Sequence, residues 1–310
     1  DTTNLQYAID GSDDDGLRQL GRTKEGGYAP QVVVALAVTR EGLPVRSWVF
    51  PGNTSDMTTV ERIKTDLRGW KLGRALFVAD AGMNSEDNRE TLAQACGRYL
   101  LATRAGSVQE IQREVLSRAG RYRIIADNLH AKEVTVGEGE KRRRYIVCYN
   151  QAEAERQRSH REQALLELDE QLAAHRDLGA TQKWAVALLA SGRYGRYLQI
   201  SGDGCVEINA ASVRKAERMD GKWVLQTNDD TLSLDDAASG YKSLLVIEGC
   251  FRTLKTAQIH IAPAWHWLSR RIEAHVKICV LALLVQRVAE LAGGRPWSHI
   301  RRTLDAIQVT

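Results

Sequence analysis

The chain has 310 residues, 43% hydrophobic and 26% charged, an ordinary globular balance that fits one large domain or a core with a sizeable insertion. Lys plus Arg outnumber Asp plus Glu by 43 to 39, a formal charge of +4; so mild an excess permits nucleic-acid binding without arguing for it, because local clustering matters more than the sum. Five scattered cysteines (Cys96, Cys148, Cys205, Cys250, Cys279) with no CxxC pair argue against a zinc site and for reduced, mostly buried thiols. The longest apolar run, Ile278 to Val285, falls far short of the roughly 20 residues that span a bilayer, and no signal peptide opens the chain. A cytoplasmic protein with no membrane partner is expected.

In chain order, QVVVALAV (31–38) suits a buried strand, and Leu43 to Phe50 a second one after the turn-like Thr39-Arg40-Glu41-Gly42. A helix is predicted from about Ser55 to Leu67, then a short strand at Leu76 to Ala79 that ends in Asp80-Ala81-Gly82. Ser85 can cap a helix over 86–95, and Tyr99 to Ala102 is another brief strand. This alternation predicts a mixed α/β core in residues 1–103. Residues 104–235 differ in character: a basic run (Lys141, Arg142, Arg143, Arg144), a strand at Tyr145 to Tyr149 and a helix from about Ala152 to His175. Short strands and turns are expected over 181–227, ending in Lys222 to Thr227. We read this part as an insertion, and 236–310 as a helical return to the core, strongly helical from Asp235 to about Ala292.

The last region carries the clearest pattern. On a helical projection with Leu244 at zero, Leu254, Ile247 and Phe251 fall at roughly 280°, 300° and 340°, a core-facing stripe. Lys255, Glu248, Tyr241 and Arg252 fall beside it at roughly 20°, 40°, 60° and 80°. A solvated rim with ion pairs from Glu248 to Arg252 and Lys255 would look the same. Asp80 is a second candidate, since carboxylates at strand ends in α/β sheets can project into a substrate crevice, although an Asp opening a turn is also common. Asp1, before Thr2-Thr3, has no visible context of its own.

Together these residues resemble a family. Asp1 in DTT, Asp80 in FVADAGMNSE, and Tyr241, Glu248 and Lys255 in YKSLLVIEGCFRTLK are similar to the DDE transposases of bacterial insertion sequences. The branch with a Tyr-x2-Arg-x3-Glu-x6-Lys third motif is the most similar. EGLPVRSWVFPGNTSD (41–56), DGKWVLQTN (220–228) and RRIEAHVKICVLAL (270–283) extend the resemblance over essentially the whole chain. It implies a ribonuclease H-like mixed sheet flanked by helices, interrupted by a β-rich and helical insertion before the last catalytic helix. It also implies that Asp1, Asp80 and Glu248 meet around two Mg²⁺ ions, with Mn²⁺ able to substitute. Hard oxygen ligands suit such ions, which can activate the attacking oxygen and stabilise the leaving one. The implied partners are transposon terminal inverted repeats and target DNA, engaged by a homodimer, in the bacterial cytoplasm at the nucleoid. An inactive DNA-binding remnant and a nuclease without strand transfer are the alternative readings.

Tyr241, Arg252 and Lys255 would hold DNA near the scissile phosphate, and Lys141 to Arg144 would form a phosphate-contacting patch. Trp48, Trp223, Trp265 and Trp267 could stack on bases, or pack in a core. Asn53 and Asp56 could shape a loop near the site, or serve as capping residues. His266 and His275 lack metal-ligand spacing, and the acidic run Asp10, Asp13, Asp14, Asp15 lacks the order of a calcium loop. On this reading the strand leading into Asp1 is missing. That predicts an exposed sheet edge, a positively charged amino group (ordinary pKa about 8) beside the site, and weak or absent activity. The family's Arg at the x2 position is Leu244 here, and Arg252, one turn beyond Glu248, lies on the correct side to replace it. Arg252→Ala should therefore weaken both DNA binding and strand transfer; unchanged gel-shift and joining assays would end that assignment.

Overall fold

The computed structural model describes residues 1–7, 16–24, 26–72, 75–106, 108–139, 142–175, 179, 182–256, 259–262 and 264–307. The acidic run at Asp10 and Asp13 to Asp15, and Lys141 of the basic run, lie outside these. The chain divides into two compact units, one of Asp1–Leu101 with Ser239–Thr310, the other of Ala102–Ala238. It is mixed α/β, with sheets flanked by helices.

The first unit is built on an antiparallel sheet of β1 (Thr2–Gln6), β2 (Gln19–Arg22), β3 (Tyr28–Val38) and β4 (Pro44–Pro51). The long β3 pairs with all three others: Thr2 lies opposite Ala35, Gln19 opposite Gln31, and Val32 opposite Pro51. Its unbroken apolar run reflects burial on both faces rather than one. Val32, Val34 and Leu36 join Leu5, Val49, Ile247, Phe251, Ile272 and Val276 in one core. Val33 and Ala35 face the other way, with Trp48, Phe50 and Ile63. The first core packs α7 (Leu244–Lys255) and α8 (Ser269–Gly293) on the sheet; the second packs α1 (Asp56–Gly69). The parallel pair β5 (Leu76–Ala79) and β6 (Arg98–Ala102) is joined through α2 (Glu86–Ala93), whose N-cap Ser85 accepts a bond from Asn88 N at 3.2 Å.

Three expectations are corrected here. A strand that the sequence reading did not foresee follows Asp1. Its polar letters, TTNLQ, gave no apolar signal, yet Thr2, Thr3 and Leu5 are all buried. The helical stretch expected from Asp235 to Ala292 is three helices: α6 (Leu234–Lys242), α7 and α8, and the described residues between Lys255 and Ser269 belong to no helix or strand. The helix is interrupted at Ser243, so Tyr241 belongs to α6 and the single-helix projection holds only for Glu248, Arg252 and Lys255. The region 181–227 is also more helical than strands and turns would make it.

The second unit carries an antiparallel sheet in the order β12 (Lys222–Thr227), β9 (Arg143–Tyr149), β8 (Leu129–Val136), β7 (Arg123–Ala126). Val134, Val136, Tyr145, Val147 and Val224 bury one of its faces against Ile111 and Val115. A second core gathers α3 (Gln151–Ala174) and α4 (Lys183–Ala190) with the hairpin of β10 (Leu198–Ile200) and β11 (Val206–Ile208), through Leu168, Leu188, Tyr197 and Val206. Partly buried Val213 and Ala216 of α5 (Ala210–Met219) pack against it. Arg161 of α3 and Asp220 form an ion pair at 2.6 Å with side chains only 6% and 16% exposed. No helix of the described residues is long and apolar enough to cross a membrane.

Two features set stability. A Cβ on Gly52 would stand 1.9 Å from Gln31 O and 2.4 Å from Gln19 O, where the chain passes β2 and β3. Backbone cannot yield that much, so Gly52→Ala should lower the unfolding free energy by about 3 kcal/mol or more, read by urea titration. Arg161→Ala leaves the partly buried Asp220 carboxylate without its cation and should cost about 2 to 3 kcal/mol in the same assay.

Candidate active site

The site grows from the point where β1 begins. Asp1 is fixed to the sheet by its backbone, with Leu36 N donating to Asp1 O at 3.0 Å and the Asp1 amino group donating to Leu36 O at 3.3 Å. Thr2 N donates to Asp1 Oδ1 at 2.6 Å, which orients the carboxylate. Lys24 Nζ caps Thr2 O at 2.8 Å.

Asp80 follows β5 and opens a short 3₁₀ turn, Ala81–Met83, with its Oδ1 accepting from Gly82 N at 3.0 Å. The turn is tied to the start of α1 by buried Asn88, whose side-chain amide donates to both Met83 O and Met57 O at 2.9 Å. Beside it stands a carboxylate that sequence reasoning left undecided between loop and cap. Asp56 Oδ1 accepts from the Thr2 hydroxyl at 2.5 Å. A Cβ on Gly82 would meet Asp80 Oδ1 at 3.2 Å, Asp56 Oδ2 at 3.4 Å and Asp80 Oδ2 at 3.5 Å. A side chain there would crowd Asp80 Oδ1 and touch the other two oxygens.

The electrostatics tie Asp1 to the same place. Burial pushes its amino group down to about 6, while Asp80 and Asp56 pull it upward and Lys24 lowers it further. That is below the ordinary value expected from the sequence. The amino group of Asp1 thus lies close enough to feel both Asp56 and Asp80, which come from separate stretches. Carboxylate oxygens are the hard donors that Mg²⁺ and Mn²⁺ take, commonly one or two carboxylates with the rest from substrate and water. Asp1 and Asp80 are donors of the kind that such an ion takes.

Glu248 sits on the exposed side of α7, whose opposite side buries Ile247, Cys250, Phe251 and Leu254. Among the described residues, no three His, Cys, Asp or Glu side chains are placed to hold a metal ion together, so the structure does not gather Glu248 with Asp1 and Asp80. Arg252 and Lys255 are exposed in the last turn of α7, Tyr241 is half-buried on α6, and Leu244 packs against the core.

The basic run is differently placed. Arg142 pairs with Asp230 at 2.7 Å and Arg143 with Glu110 at 2.9 Å. Arg144 is 6% exposed; it pairs with Glu133 at 2.8 Å and also donates to the carbonyls of Leu232 and Asp229. Its guanidinium braces a loop from inside the second unit and is not a surface phosphate contact. The carboxylates that neutralise this run lie far away in sequence, so nothing local announced them.

Of the tryptophans, Trp48 is buried and donates to Asp66 at 2.7 Å, and Trp223 is half-buried. Trp265 and Trp267 are 68% and 58% exposed, with the Arg18 guanidinium 4.8 Å over the Trp267 ring. Asn53 is exposed. His266 and His275 meet edge to face at 5.3 Å, His275 Nε2 lying 3.1 Å from Ile261 O, a packing arrangement.

Comparison with known proteins adds the family. The model of the transposase DDE domain family matches residues 3–284. No curated protein matches. A cryo-EM structure of the piggyBac transposase synaptic complex with hairpin DNA is similar at 8% identity and a TM-score of 0.41. It covers 100% of this chain, which spans 48% of that one. That likeness is too weak to carry an argument, whereas the family match extends over nearly the whole sequence. DDE transposases depend in general on divalent metal. The chain belongs to the transposase DDE domain family.

Proposed function

We propose that this chain is the catalytic part of a DNA transposase that cuts phosphodiester bonds at insertion-sequence ends and joins the freed ends to target DNA. What supports the reading is the electrostatic coupling of the Asp1 amino group at the start of β1 to Asp80 at the end of β5, in a chain of the DDE family. Asp1 and Asp80 would hold Mg²⁺, or Mn²⁺ in its place, two ions in the full site. When bound, such ions supply the charge that activates an attacking oxygen and stabilises a leaving one.

The chain's own residues do the rest. The bonds to Asp1 and Asp80 from Thr2 N and Gly82 N fix both carboxylates before any ligand arrives, so little reorganisation is needed on binding. Glu248 is the third acidic group of this reading, carried on the outer side of α7 with Arg252 and Lys255 after it. Arg252 can grip a phosphate through its forked donors and Lys255 as a compact charge. Tyr241, from α6, completes the DNA-holding set. Exposed Trp265 and Trp267 offer rings for unpaired bases at a cut end. The terminal inverted repeats and the target are the DNA partners, a homodimer the unit that holds paired ends, and the bacterial cytoplasm the place.

The test is a strand-transfer assay with a precut 3′-hydroxyl end and Mg²⁺ or Mn²⁺. Joining by the wild-type chain, weak as the sequence reading expects, should fall by at least about a hundredfold in Asp80→Asn and in Glu248→Gln while DNA binding persists. Hydrolysis without joining would make the protein a nuclease. Binding without nicking or joining would make it a remnant.

A further inference from the structure

We propose that Asp56 is a positioning residue of this site, clasping the Asp1 end of β1 to the Asp80 turn through the Thr2 hydroxyl. The inference rests on the reading of Asp1 and Asp80 as the cation-binding pair. Asp56 lies in the first turn of α1, where a carboxylate is ordinarily explained by the positive end of the helix. Three contacts go beyond that explanation. Asp56 Oδ1 takes the hydroxyl of Thr2, a residue with 0% exposure and direct neighbour of Asp1. Its other oxygen is turned to the space over Gly82 that both oxygens of Asp80 also face. The start of α1 is in turn bound to the Asp80 turn by the Asn88 amide, which bridges Met57 O and Met83 O.

Asp1 and Asp80 arrive from segments 79 positions apart, their carboxylates held by Thr2 N and Gly82 N respectively. Asp56 bonds Thr2, the neighbour of Asp1, and turns its other oxygen toward Gly82 in the Asp80 turn. Its charge has a second consequence: a third negative group beside the pair raises the cost of leaving the pocket without a cation and so favours binding. Groups that orient metal ligands in this way typically contribute 10- to 100-fold in affinity when removed.

Direct Mn²⁺ titration of the full chain, following the free-ion signal by electron paramagnetic resonance, reads the effect without any reaction. Asp80→Asn should abolish the tight site. Asp56→Ala and Thr2→Val should each weaken it by about tenfold or more, and the double variant should be no weaker than the worse single one, because both remove one clasp. Metal-free thermal melts of the same proteins separate this from instability: a merely structural role lowers the melting temperature and leaves Mn²⁺ affinity alone. If Asp56→Ala fails to fold, Thr2→Val, which keeps shape and loses only the hydroxyl, carries the test. Affinity unchanged in Thr2→Val and Asp56→Ala, with Asp80→Asn inactive in binding, would overturn the role of Asp56 and leave the pair intact. Wild-type affinity in Asp80→Asn would overturn the reading of the pair, and this inference with it.

Discussion

The first unit depends on the burial of β3 on both faces. Val32, Val34 and Leu36 are covered from one side by α7 and α8, and Val33 and Ala35 from the other by α1. A strand sealed in this way cannot slip by one residue without exchanging its two apolar faces, so its register is firmly specified. Everything near the site inherits that register. Asp1 is fixed because its backbone bonds Leu36, and Thr2 because it lies opposite Ala35. The positions of the acidic groups are thus a consequence of hydrophobic packing several ångströms away.

That packing works against an electrostatic penalty. Carboxylates brought together repel, and burial of Thr2 at the centre of the group limits the water available to screen them. The local donors offset part of this: Thr2 N, the Thr2 hydroxyl and Gly82 N each give a hydrogen bond to an acidic oxygen. They do not cancel net charge.

How much was legible in the sequence follows from which forces left a local mark. The strands at 31–38 and 76–79, the Ser85 cap and the long helix after Asn150 were readable because apolar runs and capping residues signal their own structure. β1 and β2 were not, since TTNLQ and QLGR owe their pairing to β3 rather than to their own propensities. The break at Ser243 was equally silent, because Ser243 keeps right-handed helical torsions (φ −67°, ψ −10°) while the hydrogen-bond ladder changes. Asp1 and Asp80 were found through the family's phrases. Asp56 was seen but not assigned, because an acidic residue at a helix start is already satisfied by the simplest explanation.

The cations show the same limit from the opposite side. Three consecutive arginines looked like a DNA-facing patch, yet Arg142, Arg143 and Arg144 answer Asp230, Glu110 and Glu133. Arg144, nearly buried, is held by its carboxylate and two carbonyls, and moving it to a phosphate would leave those groups unsatisfied at a cost that one phosphate contact would not offset. Arg252 and Lys255 stand differently. They occupy the last turn of α7, where the helix dipole favours positive charge whether or not DNA is present, and both are exposed. Arg252, favoured there by the helix itself, can meet a phosphate with little desolvation. Counting charges in sequence ranks the first group above the second; the cost of releasing each from its present environment reverses that order.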